Sequence, residues 1–403
     1  MGESVLVVGG GQAAAQLVVS LRMGGHEGAI TLVSDEPAPP YQRPPLSKQY
    51  LAGKLDVERL FLRQIAYYES RGVELVLGRR VLSIDRRARR AQLDGGAELR
   101  YDRLVLATGS RLRRLSIPGS DLPGIHYLRS LSDADQLRRQ IGPGRRMVIV
   151  GGGYIGLEVA ATAVQAGTRV TVLEAEQRLM SRVVSGAVAD WLADLHRQSG
   201  VEICLGARVS AFAGKSFVEA VETTDRSYKA DSVVVGIGVL PSTALASECG
   251  LSEEDGIRTD EYCRTEDEAV LAAGDCARAV HTLLQSAVRL ESVQNAMDHG
   301  QVAASVILGA PKPYSSVPWF WSDQYQMKLQ IAGLAHPGDE TVLRGDPSTG
   351  HFAAFRLRAS RLTAVEAVSS PRDFMMGKKL IAAGASPDVN RLADDSVALK
   401  DLL

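Results

Sequence analysis

The sequence predicts an α/β protein in which one dinucleotide-binding fold is nested inside another and a smaller C-terminal α+β domain follows them. Three observations carry this. A strand–glycine–helix unit, VLVVGGGQAAA at residues 5–15, returns as VIVGGGYIGLE at residues 148–158. Each copy is followed by a second apolar run that ends in acid, at Asp35 and Glu36 after the first and at Glu174 after the second. From about residue 313 onward the Gly-rich strand–helix alternation gives way to strand-like runs separated by turns.

Each element follows from its local pattern. A short β-branched run, three glycines and then a helical stretch, expected over 13–23 and again over 155–166, is one strand–turn–helix unit. The runs at 101–109, 231–238 and 269–275 are apolar and end in small residues, so they are expected to be buried parallel strands. The last of these is assigned to the first sheet, which makes the first domain discontinuous. The expected division is 1–110 with 240–314, then 111–239, then 315–403. In the last domain, strands are expected at 326–334, 341–344, 351–358 and 362–368, with DPSTG at 346–350 as a turn. An antiparallel sheet followed by a helix over 371–383 completes it.

Composition narrows the function classes. The 403 residues carry 46 Lys+Arg against 47 Asp+Glu, a net charge of −1, which argues against a broadly basic nucleic-acid binder. With 45% hydrophobic residues the chain can fill more than one core, and its length suggests two or three domains. No uncharged apolar run approaches the roughly 18–20 residues of a membrane helix. No signal- or transit-like segment precedes the first strand. Cys204, Cys249, Cys263 and Cys276 form neither a CxxC pair nor a cluster with the seven His, so neither zinc nor a disulfide framework is expected. A cytoplasmic protein is the expectation.

The glycines point to chemistry. One G-x-G-x-x-G alone is weak, since this glycine content gives about 0.4 by chance. Two copies, each between a strand and a helix and each followed by an acid, are specific. Gly9 and Gly151 permit the turn, Gly11 and Gly153 let backbone N–H groups approach a pyrophosphate, and Ala14 and Gly156 let the helix pack closely. The helix N-terminus adds positive potential. Asp35 or Glu36 would accept from the first adenosine ribose and Glu174 from the second, where a carboxylate repels a 2′-phosphate and favours NADH over NADPH. Arg178 nearby is the one residue that argues the other way. Two different dinucleotides in a nested arrangement suggest a permanently held flavin and a nicotinamide that comes and goes.

These segments, together with PYQRPPLSK (40–48), LVLATG (104–109), AGDCA (273–277), ESVQN (291–295) and PWFWSD (318–323), resemble a known family over essentially the whole chain. It is the putidaredoxin reductase-like group of FAD-dependent, NADH-using ferredoxin reductases, which serve bacterial cytochrome monooxygenases and Rieske dioxygenases within the glutathione reductase superfamily. The resemblance implies non-covalent FAD, hydride transfer from NADH to FAD, and single electrons passed to a 2Fe-2S ferredoxin. It implies that residues 40–48 wall the flavin ring, with Lys48 beside it and Glu158 pairing with Lys48. Asp275 is implied to accept from the ribitol. A helix expected over 295–307 is implied to aim its N-terminus at the flavin pyrimidine edge, where Val293 would contribute a backbone N–H. Trp321 is implied at the electron exit. Further cofactor contacts are expected from Ala13, Arg43, Pro44, Val81, Ala107, Thr108, Gly109, Arg129, Tyr154, Ile155, Gly236, Ile237, Gly238, Gly274 and Ser292.

Relatives that work through thiols place a redox cysteine in the stretch that here is 44–62, which contains none. A thiol relay is therefore not expected, and Cys276 is read as a small buried residue. Arg43, Arg63, Arg289 and Lys328 are the candidate docking cations for an acidic ferredoxin. The alternatives are an NADH oxidase, a quinone or rubredoxin reductase, or a redox sensor like apoptosis-inducing factor.

Overall fold

The structure, a computed structural model, describes residues 2–403 and divides into two compact units. The first comprises Met1–Gln42, Val57–Arg111 and Val239–Ser316. The second comprises Arg43–Asp56, Leu112–Gly238 and Val317–Leu403.

The first unit is built on a five-stranded parallel sheet in the order Val270–Ala272, Arg103–Leu106, Val5–Val8, Ile30–Ser34, Val73–Leu77. The strand after the second repeat therefore pairs with the first sheet, as expected. Along Val5–Val8 the side chains alternate between two cores: Val5 and Val7 pack with Leu17, Leu21 and Ala303, while Leu6 and Val8 pack with Ile84, Leu93 and Leu106. Both faces are covered, which is why the strand reads as an unbroken apolar run. The helices Gln12–Met23 and Val293–Ile307 lie side by side, and a Cβ at Gly300 would sit 2.7 Å from the Ala13 carbonyl oxygen. Only glycine allows that approach. The helix expected from residue 295 starts two residues earlier, at Val293, because Ser292 caps it by accepting from the Asn295 N–H at 3.0 Å.

The second unit repeats the plan. Its parallel sheet has the order Glu202–Leu205, Arg169–Glu174, Arg146–Val150, Ser232–Val235, Ile125–His126. Helix Tyr154–Gln165 follows the second glycine loop. The C-terminal sheet is antiparallel, in the order Trp319–Gln324, Met327–Gly333, Arg361–Val368, His351–Arg358, Glu340–Asp346. Helix Pro371–Ala382 covers it, starting at a proline as helices tolerate. The expected turn holds Pro347–Thr349 and closes at Gly350 with φ +72°. Residues 319–324 were not expected as a strand: Trp319, Phe320 and Trp321 are all half-buried, so the in–out alternation that signals a strand is missing. Among the described residues no helix is long and apolar enough to cross a membrane, and no group of His, Cys, Asp and Glu could hold a metal ion.

Candidate functional site

The first glycine loop leaves the C-terminal end of Val5–Val8, where open α/β sheets bind ligands. Gly9 has φ +126°, and a Cβ there would lie 2.1 Å from the Ala107 carbonyl oxygen. The loop is thus pressed onto Ala107 and Thr108, with Gly109, φ +66°, next in the chain. Thr108 donates its hydroxyl to the Ser242 carbonyl at 2.6 Å. Gly274, φ +84°, sits against the other side: a Cβ would be 3.1 Å from that of Ala13. Its N–H donates to His299 Nδ1 at 3.2 Å, and burial holds His299 neutral by lowering its pKa to about 3, so that nitrogen is free to accept. Asp275 follows, half-buried, accepting from the Ser110 hydroxyl at 3.0 Å.

The acids at the end of the second strand separate clearly. Asp35 is 56% exposed and pairs with Arg80 at 3.2 Å, whereas Glu36 is bound by the buried Tyr41 hydroxyl. Glu36 is therefore the oriented carboxylate. The Val81 side chain is buried in the core with Val33 and Leu93, so only its backbone is available to a ligand.

The second loop has the same construction. Gly151 has φ +103°, and a Cβ would lie 2.5 Å from the Gly236 carbonyl oxygen, which brings Gly236 and Ile237 to the loop, with Gly238, φ +101°, next in the chain. A Cβ on Gly156 would meet the Gly151 oxygen at 2.3 Å. Glu174 accepts from the Gly152 N–H at 2.6 Å and from the Glu176 N–H at 2.9 Å, so its charge stays at the loop. Arg178, by contrast, pairs with Asp190 at 3.5 Å.

Both loops pass the test for a phosphate-bearing ligand. Helices Gln12–Met23 and Tyr154–Gln165 have Gly11 and Gly153 at their N-cap positions and no side chain capping them, while Ser130, Ser185 and Ser292 cap other helices. A Cβ built on Gly11 or Gly153 meets nothing within 4 Å. Unsatisfied N–H groups facing open space are what a dinucleotide requires.

Within the second unit a third feature stands apart. Lys48 Nζ lies 2.7 Å from Glu158 Oε2, with the side chains only 16% and 5% exposed. Lys48 also donates to the Pro44 carbonyl at 3.2 Å. Ser47 donates to Glu158 Oε2 at 2.5 Å and Ser322 to Oε1 at 2.6 Å, so the buried carboxylate has three donors. Thr162 ties this segment down by donating to the Ser47 carbonyl at 2.9 Å. Ser47 and Ser322 lie in segments that the sequence singles out, but a serine carries no sign of a partner more than 100 residues away.

Tyr154 packs on Phe320 at 4.4 Å between ring centroids, and Trp321 lies 5.5 Å from Trp319. Ile155 is exposed at the helix start. The Arg129 carbonyl accepts from Arg43 at 2.8 Å, and Arg289 is engaged by Asp255 and Glu291, so both arginines are already committed to internal partners. Arg63 and Lys328 are exposed, Lys328 with Asp323 3.6 Å away. Cys276 is fully buried, its thiol donating to the Leu106 and Ala273 carbonyls, and burial raises its pKa. It is packing, not a nucleophile.

Comparison with known proteins agrees with this construction. Residues 3–300 match the family described as pyridine nucleotide-disulphide oxidoreductase, and residues 319–403 match one described as reductase C-terminal. The chain is 43% identical to rhodocoxin reductase of Rhodococcus erythropolis, over 98% of this chain and 93% of that protein. It is also 43% identical to the ferredoxin–NAD(+) reductase component of the anthranilate 1,2-dioxygenase system of Burkholderia cepacia, over 100% and 99% of the two chains. The solved covalent complex of putidaredoxin reductase with putidaredoxin superposes with a TM-score of 0.96 at 39% identity, covering 99% of this chain and 98% of that one. Two open glycine loops on parallel sheets, joined to the C-terminal sheet these reductases share, place the chain in the pyridine nucleotide-disulphide oxidoreductase family.

Proposed function

We propose that this chain is an FAD-containing NADH:ferredoxin oxidoreductase that supplies single electrons to a 2Fe-2S ferredoxin of a monooxygenase or ring-hydroxylating dioxygenase system. The observation that carries this reading is the pairing of two open nucleotide cradles with the absence of any cysteine from residues 44–62. The family name includes disulphide chemistry, but this chain has no thiol where that chemistry would sit. Its four cysteines are all free, which suits the reducing cytoplasm where we place it.

FAD, when bound, supplies a centre that takes two electrons together and gives them up one at a time. The protein's part is to bind, orient and tune. The loop from Gly9 to Ala14, with Ala107, Thr108, Gly109, Gly274 and Asp275, would hold FAD, and Glu36 would accept from its ribose. The loop from Gly151 to Gly156, with Gly236, Ile237 and Gly238, would hold NADH. Glu174 would accept from its ribose hydroxyls and repel a 2′-phosphate.

Lys48, held by Glu158, would set a cation beside the flavin and favour the electron-rich reduced ring. The Val293 N–H at the start of its helix would do the same at the pyrimidine edge. Trp321 would lie at the electron exit, with Arg63 and Lys328 as docking cations. We read the second unit as two domains, 111–239 for NADH and the C-terminal α+β domain 315–403.

The test is anaerobic mixing of the purified protein with NADH and a panel of 2Fe-2S ferredoxins, cytochrome c reporting the output. Ferredoxin-dependent reduction is expected. Rapid turnover with oxygen or quinone, unstimulated by any ferredoxin, would overturn the reading.

A further inference from the structure

Glu158 is the end of a longer polar line that runs through the interior of the second unit. Ser322 and Gln324 occupy alternate positions of one strand and so share a face, and His196 comes from the last turn of helix Gly186–Gln198. Ser322 and His196 are fully buried and Gln324 is 1% exposed. The links are Ser322 Oγ to Glu158 Oε1 at 2.6 Å, Gln324 Nε2 to Ser322 Oγ at 3.1 Å, Gln324 Oε1 to His196 Nε2 at 2.8 Å, and Tyr325 hydroxyl to His196 Nδ1 at 2.9 Å.

Donor counting gives this line a direction. The Gln324 oxygen can only accept, so His196 must carry its proton on Nε2. Its Nδ1 is then bare and accepts from Tyr325. Gln324 donates to Ser322, and the single hydroxyl proton of Ser322 goes to Glu158. Every donor points toward the carboxylate. One other arrangement is self-consistent: with the proton on Nδ1 and the Gln324 amide turned over, Ser322 would donate to Gln324. Glu158 Oε1 would then lose that donor. The ring tautomer of His196 therefore decides whether Glu158 keeps it; the Tyr325 hydroxyl can serve either tautomer, donating to a bare Nδ1 or accepting from a protonated one, and the Glu158 carboxylate, which draws the Ser322 proton, favours the first. Burial lowers the His196 pKa and keeps the ring neutral, as this scheme requires.

We propose that His196 is a positioning residue for the Lys48–Glu158 pair, acting through Gln324 and Ser322 to hold the Glu158 carboxylate fixed against Lys48. The inference rests on the reading of Lys48 as the cation beside the flavin. It adds a residue whose ring touches no cofactor segment yet sets the electrostatics of the reaction.

The test uses the full-length flavoprotein and follows flavin reduction by NADH in anaerobic stopped flow, together with the flavin midpoint potential. His196→Leu should slow reduction about tenfold, the scale of one lost buried hydrogen bond, and shift the potential at unchanged FAD content and unchanged half-saturating NADH. His196→Gln, which keeps an N–H donor, should recover the rate to within about threefold. Ser322→Ala should reproduce the slow rate, and the double variant should be no slower than either single one, since both cut the same line.

A His196→Leu protein that reduces at the wild-type rate, or losses that simply add in the double variant, would overturn the proposal. Should His196→Leu fail to fold, Gln324→Met takes its place in the cycle with the same expected result. Failure of the underlying functional reading looks different: the unmodified protein would then retain no flavin or would not be reduced by NADH.

Discussion

The two nucleotide cradles follow one plan and differ in how tightly they are drawn. In both, a glycine with positive φ is pressed onto the end of the neighbouring strand, and an uncapped helix begins three residues later. At the third small position they part. The first cradle accommodates the Ala14 methyl in a fully buried site, whereas the second would drive a methyl on Gly156 to 2.3 Å from the Gly151 oxygen. The acids differ too. Glu174 is bonded directly to the N–H of its own loop, while Glu36 is held by a separate residue, Tyr41. The second cradle closes on itself. The first is assembled from several segments of its unit, including the turn at Gly274 and Asp275.

The largest effects should come from the positions where both cradles are equally strict. Gly9→Ala places a Cβ 2.1 Å from a carbonyl oxygen at φ +126°, a combined strain on the order of 3 kcal/mol or more. The purified variant should be colourless. Gly151→Ala, with 2.5 Å and φ +103°, should stay yellow but lose reduction by NADH. The flavin spectrum and anaerobic NADH titration read both. If each variant lost both ligands, the assignment of one dinucleotide to each cradle would be wrong.

The third position turns the difference itself into a measurement. Gly156→Ala should raise the KM for NADH at least about tenfold with full flavin content, since the helix must back away from the loop. The reciprocal change, Ala14→Gly, removes a methyl that already fits and costs about 1 kcal/mol of helix propensity. Its flavin affinity should fall less than about fivefold, and a larger loss there would mean that the first cradle is no looser than the second.

How much of this is legible in the sequence depends on where the signal lies along the chain. The repeated loops, the parallel strands behind them and the return of the 270–272 strand to the first sheet could be read locally, because buried parallel strands are continuous apolar runs and glycine turns are compact motifs. Strand His351–Arg358 was expected with those same bounds, its neighbours to within a few residues. The strand at 319–324 was missed because three consecutive aromatics share intermediate burial.

The environment of Glu158 was missed for another reason. Ser47, His196 and the pair Ser322 and Gln324 come from three separate stretches, and only folding brings them to the Glu158 carboxylate. The choice between Asp35 and Glu36 was equally closed to sequence, since Tyr41 and Arg80 decide it.

The coenzyme preference tests whether the self-closure of the second cradle matters for specificity. Glu174→Gln keeps an oxygen able to accept from Gly152 but removes the charge. The preference for NADH over NADPH, as the ratio of kcat/KM values, should fall about tenfold, the size of one partly solvated charge repulsion. An unchanged ratio would move the discrimination elsewhere.

The smallest effect should come from Asp35, and it separates the two acids of the first cradle. Its pair with Arg80 has both side chains more than half exposed, at 67% and 56%, so it contributes about 0–1 kcal/mol. Asp35→Asn should leave flavin content unchanged and lower Tm by no more than about 2 °C. Glu36→Gln should weaken flavin retention measurably, because the Tyr41 hydroxyl that now bonds a charged acceptor would face a neutral one and the ribose would lose its anionic partner. Flavin loss on dialysis compares the two directly. If Asp35→Asn loses flavin and Glu36→Gln keeps it, the exposed acid is the ribose acceptor after all, and the Tyr41 bond serves only to hold the loop.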